Sequence, residues 1–202
     1  YGLLSAAVQN GRKSIVELLL ANGADINVKG GWQEETPLHH AALLKTGRDI
    51  AELLMIKGAD LNAKNWKGDT PLQYAAYSGH KDIIKLLLEN GATISNLHTA
   101  SYMGDLDKAE AFIIEGIDIN ATDRHGYAPL HYAVQNNQTQ AIELLLQKDA
   151  NINVKNWSGQ TPLDVALSRY YKKTAELLLE KGADINAADN EGNTSLHRAV
   201  QN

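Results

Sequence analysis

Histidine is the residue type here best suited to metal or general-base chemistry, and seven occur in the 202 residues. A catalytic or metal-binding reading needs such groups to converge with a nucleophile, a base or a second ligand at defined spacing. These do not: His39, His98, His131 and His197 each follow a leucine, and His98 to His131 is 33 residues. The carboxylates Asp25, Asp60, Asp118 and Asp184 also recur singly, each at the start of a loop. That placement suits turn chemistry better than an acid–base pair. Cysteine is absent, which excludes disulfides, thiolate metal sites and cysteine nucleophiles. No phosphate-cradling glycine loop and no metal-ligand spacing is found, so neither enzyme activity, a metal nor a cofactor is expected.

Residues suited to recognition are better placed. Trp32, Trp66 and Trp157 all stand four positions before a threonine, at Thr36, Thr70 and Thr161. Arg124 and Asn190 occupy the same register before Ala128 and Thr194. Tryptophan and arginine dominate protein interfaces, because each buries a large area while freezing few rotamers. The alternative is that each indole packs along a neighbouring loop and covers its backbone. A row of exposed rings is costly unless something covers it, which favours contact with a partner.

The elements that position these residues follow from an internal repeat. Gly-Ala-Asp-Ile-Asn, or a variant of it, starts at Gly23, Gly58, Gly91, Gly116, Asp149 and Gly182, with spacings of 35, 33, 25, 33 and 33. In phase with it run Thr36-Pro37-Leu38-His39, Thr70-Pro71-Leu72-Gln73, Ala128-Pro129-Leu130-His131, Thr161-Pro162-Leu163-Asp164 and Thr194-Ser195-Leu196-His197. These are helix starts: threonine caps free N–H groups, and proline fits the first turn, where its missing donor is not needed. Apolar stripes at helical spacing, such as Val16, Leu18 and Leu19 or Ile84, Leu86 and Leu87, precede each Gly-Ala-Asp segment. The glycine after each stripe reads as a left-handed helix end.

These two segments, in phase along essentially the whole chain, resemble the ankyrin repeat. The resemblance implies an all-α ankyrin-repeat solenoid of stacked helix-turn-helix units with β-hairpin loops. One domain over residues 1–202 is expected, with units at about 1–28, 29–63, 64–95, 96–121, 122–154, 155–187 and a partial 188–202. The apolar positions Leu196, Ala199 and Val200 of the last unit ask for a further neighbour or a polar cap. The resemblance also implies that the signature histidines bond to backbone of the next unit. His80 fits a Gly-His step between helices, which leaves His40 and His125 without a repeat explanation. The asparagines Asn27, Asn62, Asn120, Asn153 and Asn186 resemble ones hydroxylated in some ankyrin proteins, although turn stabilisation is their commoner role.

Departures from the pattern are local. Only six steps separate Gly91 from Leu97, against 14 between Gly58 and Leu72, so one loop finger is missing. The second unit gains two residues around Leu43 to Thr46 and one in the finger Val28 to Glu35. Tyr170 stands where the family places glycine between helices, so an altered turn is expected there, whereas Asn137 at the same register tolerates a left-handed backbone.

The family exposes the ends of the first helices on the concave face, here Tyr77, Tyr102, Met103 and Arg169 among others. The contact set expected for a partner is therefore Trp32, Trp66, Tyr77, Tyr102, Met103, Arg124, Trp157 and Arg169, with Tyr77, Tyr102 and Met103 beside the missing finger. Structural packing is the competing account of the tyrosines. A net charge of −5 offers no general attraction to nucleic acid. No apolar run reaches membrane-spanning length, and residues 1–10 lack signal-peptide character. The expected function is a monomeric, intracellular and cytoplasmic protein-interaction module that binds a partner protein through the concave face and hairpin fingertips. The alternative is a regulatory or small-ligand-sensing ankyrin segment of a larger enzyme, channel or bacterial effector.

Overall fold

Helices of seven to nine residues are too short to persist alone in water, so each period must gain its order from its neighbours. The computed structural model describes residues 2–194 and contains twelve α-helices among them. Packing divides the chain into two units, residues 1–94 and 95–202. The first unit holds α1 (Leu3–Gln9), α2 (Lys13–Ala21), α3 (Pro37–Leu43), α4 (Arg48–Ile56), α5 (Pro71–Ser78) and α6 (Lys81–Glu89). The second holds α7 (Leu97–Met103), α8 (Leu106–Ile114), α9 (Pro129–Gln135), α10 (Thr139–Gln147), α11 (Pro162–Ser168) and α12 (Lys172–Glu180). Leu196, Ala199, Val200 and His197 lie outside the described residues.

Within each unit the first helices stack on one another, α1 on α3 and α3 on α5, then α7 on α9 and α9 on α11. Leu38, Leu54, Leu72, Ile83 and Leu87 fill the first unit; Leu97, Leu130, Tyr132, Ile142, Leu145, Leu163 and Leu178 fill the second. Burying each such side chain stabilises by about 1.5–3 kcal/mol, which drives the stacking. The second helices bury one stripe only. In α6, Ile83, Ile84, Leu86 and Leu87 are covered while Lys81, Asp82, Lys85 and Glu89 meet solvent.

The hairpin fingers are turns rather than strands. Among the described residues the only bridges are Gly30 with Glu35 and Ala188 with Thr194. Asparagine amides tie finger to finger: the Oδ1 of Asn27 accepts from the Asp60 N–H at 2.8 Å, and that of Asn62 from the Thr93 N–H at 2.8 Å. In the second unit Asn120 accepts from the Asn151 N–H and Asn153 from the Asp184 N–H, both at 2.8 Å. Four of the recurring asparagines are thus repeat-to-repeat struts. Residues 92–96 run without a finger turn from Gly91 to α7, and Asn96 caps that helix by accepting from the Thr99 N–H at 2.8 Å.

Two local expectations are corrected. The extra length of the second unit is one residue between helices, not two, since His39 to Gly58 is 19 steps against 18 from His131 to Asp149; the finger takes one more. The turn at Tyr170 is not altered. Its N–H donates to the Leu167 carbonyl at 3.1 Å and that of Tyr171 to Ala166 at 2.9 Å, matching Gly79 to Ala76 and His80 to Ala75 at 3.1 and 3.0 Å. Tyr170 is held at φ 59°, beside φ 71° at Gly79. The turn's hydrogen bonds and flanking helices hold the backbone, and the tyrosine absorbs the strain. Tyr170→Gly is expected to raise the unfolding free energy by about 0.5–1 kcal/mol in denaturant titration. Tyr170→Ala, which keeps the left-handed cost, is expected to gain nothing.

Candidate functional site

Four fingers are built on one device. Asn65 Oδ1 accepts from the N–H groups of Lys67 and Asp69, both at 2.9 Å. Asp123 does the same for His125 and Tyr127, Asn156 for Ser158 and Gln160, and Asp189 for Glu191 and Asn193. Three residues beyond each stands a glycine in the left-handed region, Gly68, Gly126, Gly159 and Gly192, with φ of 86°, 80°, 78° and 81°. The side chain between them, one position after the Asn or Asp, is lifted to the tip: Trp66, Arg124, Trp157 and Asn190. An Asx-x-x-Gly spacing, present in the sequence at Asn65, Asp123, Asn156 and Asp189, is the local signal for these fingers, and the helix-start and Gly-Ala-Asp segments do not include it. The finger of Trp32 lacks it, closing instead by paired backbone bonds between Gly30 and Glu35 of 2.9 and 3.3 Å.

Neighbouring tips are also bonded directly. The Trp66 N–H donates to the Gln33 carbonyl at 3.1 Å in the first unit. In the second, the Trp157 N–H donates to His125 at 3.2 Å and the Asn190 N–H to Ser158 at 3.3 Å. The backbone under each tip is therefore fixed while the ring stays outside, with Trp32, Trp66 and Trp157 76%, 50% and 67% exposed. Trp32 and Trp66 lie with ring centroids 6.0 Å apart and planes inclined at 43°. The Lys67 ammonium stands 5.1 Å over the Trp66 ring. Trp157 packs beside Gly126, where an added Cβ would lie 2.5 Å from its Cδ1.

Other expected contact residues are placed differently. Arg124 is half-buried, its Nε donating to His125 Nε2 at 3.0 Å. Tyr77 is half-buried near the end of α5, and Arg169 is exposed just past α11. Tyr102 is 2% exposed and edge-on to Tyr132 at 6.4 Å, so its ring is core. Burial pushes its phenol above the ordinary tyrosine value, against the opposing pull of the Arg169 guanidinium. Met103 is half-buried at the end of α7, its carbonyl accepting from Gln138 Nε2 at 3.2 Å.

The signature histidines are structural bolts. The Nε2–H of His39 donates to the Asp69 carbonyl, that of His98 to Ala121 and that of His131 to Gln160, each at 3.0 Å. Nδ1 accepts from the Thr36 N–H in the first case and the Ala128 N–H in the third, both at 3.1 Å. His80 Nδ1 donates to the Ala42 carbonyl at 3.0 Å, as its Gly-His position suggested. His40, which had no repeat explanation, belongs to a buried polar cluster: its Nδ1 is 3.6 Å from Glu35, whose other oxygen accepts from the Tyr74 hydroxyl. Ser5 holds the histidine register in α1, and its buried hydroxyl finds no partner. Among the described residues no group of three or more His, Cys, Asp or Glu could hold a metal ion. Nor is any helix among them long and apolar enough to cross a membrane.

The comparison with known proteins agrees with this geometry. The family model "Ankyrin repeats (3 copies)" matches residues 4–96 and again 97–189. The chain belongs to the ankyrin repeat family, whose members generally serve as protein-interaction modules. It is similar to "Putative ankyrin repeat protein FPV223" of Fowlpox virus, 29% identical over 143 residues that cover 66% of this chain and 98% of that protein. It is also similar to "Alpha-latrotoxin-Lg1a" of Latrodectus geometricus, 30% identical across 59% of this chain and 10% of the toxin. "Palmitoyltransferase AKR1" of Lachancea kluyveri is 28% identical across 72% of this chain and 21% of the enzyme.

Proposed function

We propose that this chain holds a partner protein against its fingertips and the exposed ends of its first helices. The observation that carries the reading is the recurrence of an exposed indole at one register of the repeat, on backbone already fixed by hydrogen bonds to the neighbouring finger. Such rings contribute area without a large ordering cost on binding, because the loop beneath them does not have to be frozen. Arg124 and Arg169 add charged contacts, and Tyr77 and Met103 add apolar ones. Tyr102 acts from beneath, its carbonyl bound by Asn136 at 2.8 Å, so that it fixes the helix end rather than touching the partner. No catalytic step is assigned to the chain.

A second reading is favoured by the palmitoyltransferase and toxin, in which the matched region is a small share of a longer protein. The stack then presents a partner or substrate to machinery elsewhere in such a protein, through the same surface.

Site-specific photocross-linking tests the surface. A photoreactive benzoylphenylalanine replaces Trp32, Trp66 or Trp157 in turn, with Lys85 and Lys172 on the outer helices as controls, and adducts are identified by mass spectrometry. The expected result is one partner captured from the tip positions and absent from the controls. Equal capture at tips and controls rejects the surface.

A further inference from the structure

Resting on the reading above, we infer that Glu35, Tyr74 and Asn65 form a clasp that locks the two tryptophan fingers of the first unit together, so that Trp32 and Trp66 meet a partner as one preformed contact rather than two independent ones. With ring centroids 6.0 Å apart the indoles touch each other, and their outer surfaces form a single apolar area. Contact between the tips of two projecting loops lasts only where the loops are held in register against their own conformational entropy. The Trp32 finger has no Asx brace of its own, so its register must be set from its base.

Glu35 closes that finger through its backbone, with bonds to Gly30 of 2.9 and 3.3 Å, and its side chain runs inward. One carboxylate oxygen accepts from the Tyr74 hydroxyl, and the other lies 3.6 Å from His40 Nδ1. The same hydroxyl accepts from the Asn65 amide N–H at 3.0 Å, and Asn65 is the residue whose Oδ1 shapes the Trp66 tip. One phenol thus bonds the anchor of the first finger to the brace of the second, and all three residues are buried. The second unit shows why the brace has to be asparagine. Tyr132 stands at the register of Tyr74, but the brace of its finger is Asp123, which has no hydrogen to give, so the Tyr132 hydroxyl donates to it at 2.8 Å. Asn65 donates where Asp123 accepts, which leaves the single Tyr74 proton for Glu35. Fingers locked in this way before a partner arrives need less ordering when it binds.

The paired indoles allow a test that needs no partner. Two tryptophan rings in fixed contact give an exciton couplet in the far-ultraviolet circular dichroism of the full chain, and Trp66→Phe identifies it by abolishing it. Tyr74→Phe removes only the hydroxyl and is expected to lose most of the couplet. Asn65→Asp is expected to do the same, because its carboxylate keeps the bonds to the Lys67 and Asp69 amides while drawing the Tyr74 proton away from Glu35. Tyr132→Phe deletes the equivalent hydroxyl in the second unit and is expected to keep the couplet in full at a comparable loss of stability, which separates positioning from general destabilisation. Denaturant titration confirms that each variant is folded. A couplet unchanged in Tyr74→Phe and Asn65→Asp, or reduced as much in Tyr132→Phe, overturns the inference whether or not the tips capture a partner. For the partner identified by cross-linking, Tyr74→Phe is expected to weaken binding about fivefold although Tyr74 is buried, and Tyr132→Phe is expected to leave it unchanged. Full affinity in a Tyr74→Phe chain that has lost its couplet also overturns the inference. Should the tips capture no partner while the couplet behaves as expected, the interaction surface falls and the clasp stands.

Discussion

Gly47→Ala is expected to lower the unfolding free energy of the chain by about 3 kcal/mol or more, the largest effect of any single methyl group in the first unit. The reason is the extra residue between α3 and α4. To absorb it, the chain turns back on itself: the Leu44 N–H donates to the Ala41 carbonyl at 3.2 Å, and the Gly47 N–H to the Leu44 carbonyl at 2.9 Å. This brings the Ala41 carbonyl oxygen to 2.0 Å from where a Cβ on residue 47 would sit, with the Leu44 Cβ and carbonyl at 3.0 Å. These are largely backbone atoms, so no rotamer change relieves the collision, and α3, the turn or α4 must shift. The φ of the N-cap Gly47 is −80°, so the penalty is purely steric. Gly58→Ala provides the contrast, because there nothing lies within 4 Å of an added Cβ although φ is 92°. It is expected to cost about 1 kcal/mol, from the left-handed backbone alone. Equal midpoints in urea for the two variants would contradict the account of the turn.

The second large effect concerns His131 and pH. Burial of its imidazole lowers its pKa from 6.5 to about 4, against the weaker upward pull of the Gln160 carbonyl and the Asp123 and Asp164 carboxylates. The geometry agrees, because Nδ1 accepts from the Ala128 N–H and an imidazolium has no lone pair to accept with. Above pH 6.5 the residue is neutral in both folded and unfolded chains and its contribution is fully present. Between pH 6.5 and 4 the unfolded chain takes up the proton while the folded one does not, so stability falls with pH. The loss amounts to about 3 kcal/mol and levels off below the folded pKa. His131→Gln removes the titration while keeping an amide donor and acceptor, and Gln73 already occupies this register in another unit. The wild type should therefore lose about 3 kcal/mol more than the variant between pH 6.5 and 4, measured by denaturant titration at each pH. Parallel pH profiles would show that His131 is not the buried neutral group described.

Much of this was legible in the sequence because the repeat carries it. The phase of Thr-Pro-Leu-His against Gly-Ala-Asp set the helix pairs and marked His39, His98 and His131 as links between repeats; the bonds of His39 to Asp69 and His131 to Gln160 reach the next repeat, whereas His98 bonds to Ala121, at the end of its own repeat. The missing finger was visible as six residues from Gly91 to Leu97. What escaped was whatever depends on how neighbours compete. At Tyr170 steric preference argued for a changed turn, but the hydrogen bonds of the flanking helices outweigh a left-handed strain of about 1–2 kcal/mol. Tyr102 was placed on a surface because its helix end is exposed in the repeat, yet Tyr132 and its neighbours cover it. The pairing of Trp32 with Trp66 depends on two fingers of different length and construction, which no single register can show.

We propose that the fingertip indoles are contact surface rather than loop packing. The most direct measurement is the affinity of the partner identified by cross-linking, titrated calorimetrically against the wild type and against Trp32→Ala/Trp66→Ala. A loss of about tenfold or more is expected, with the thermal midpoint nearly unchanged. An unchanged affinity, or a collapse of stability in place of a loss of binding, would return the tryptophans to structural packing.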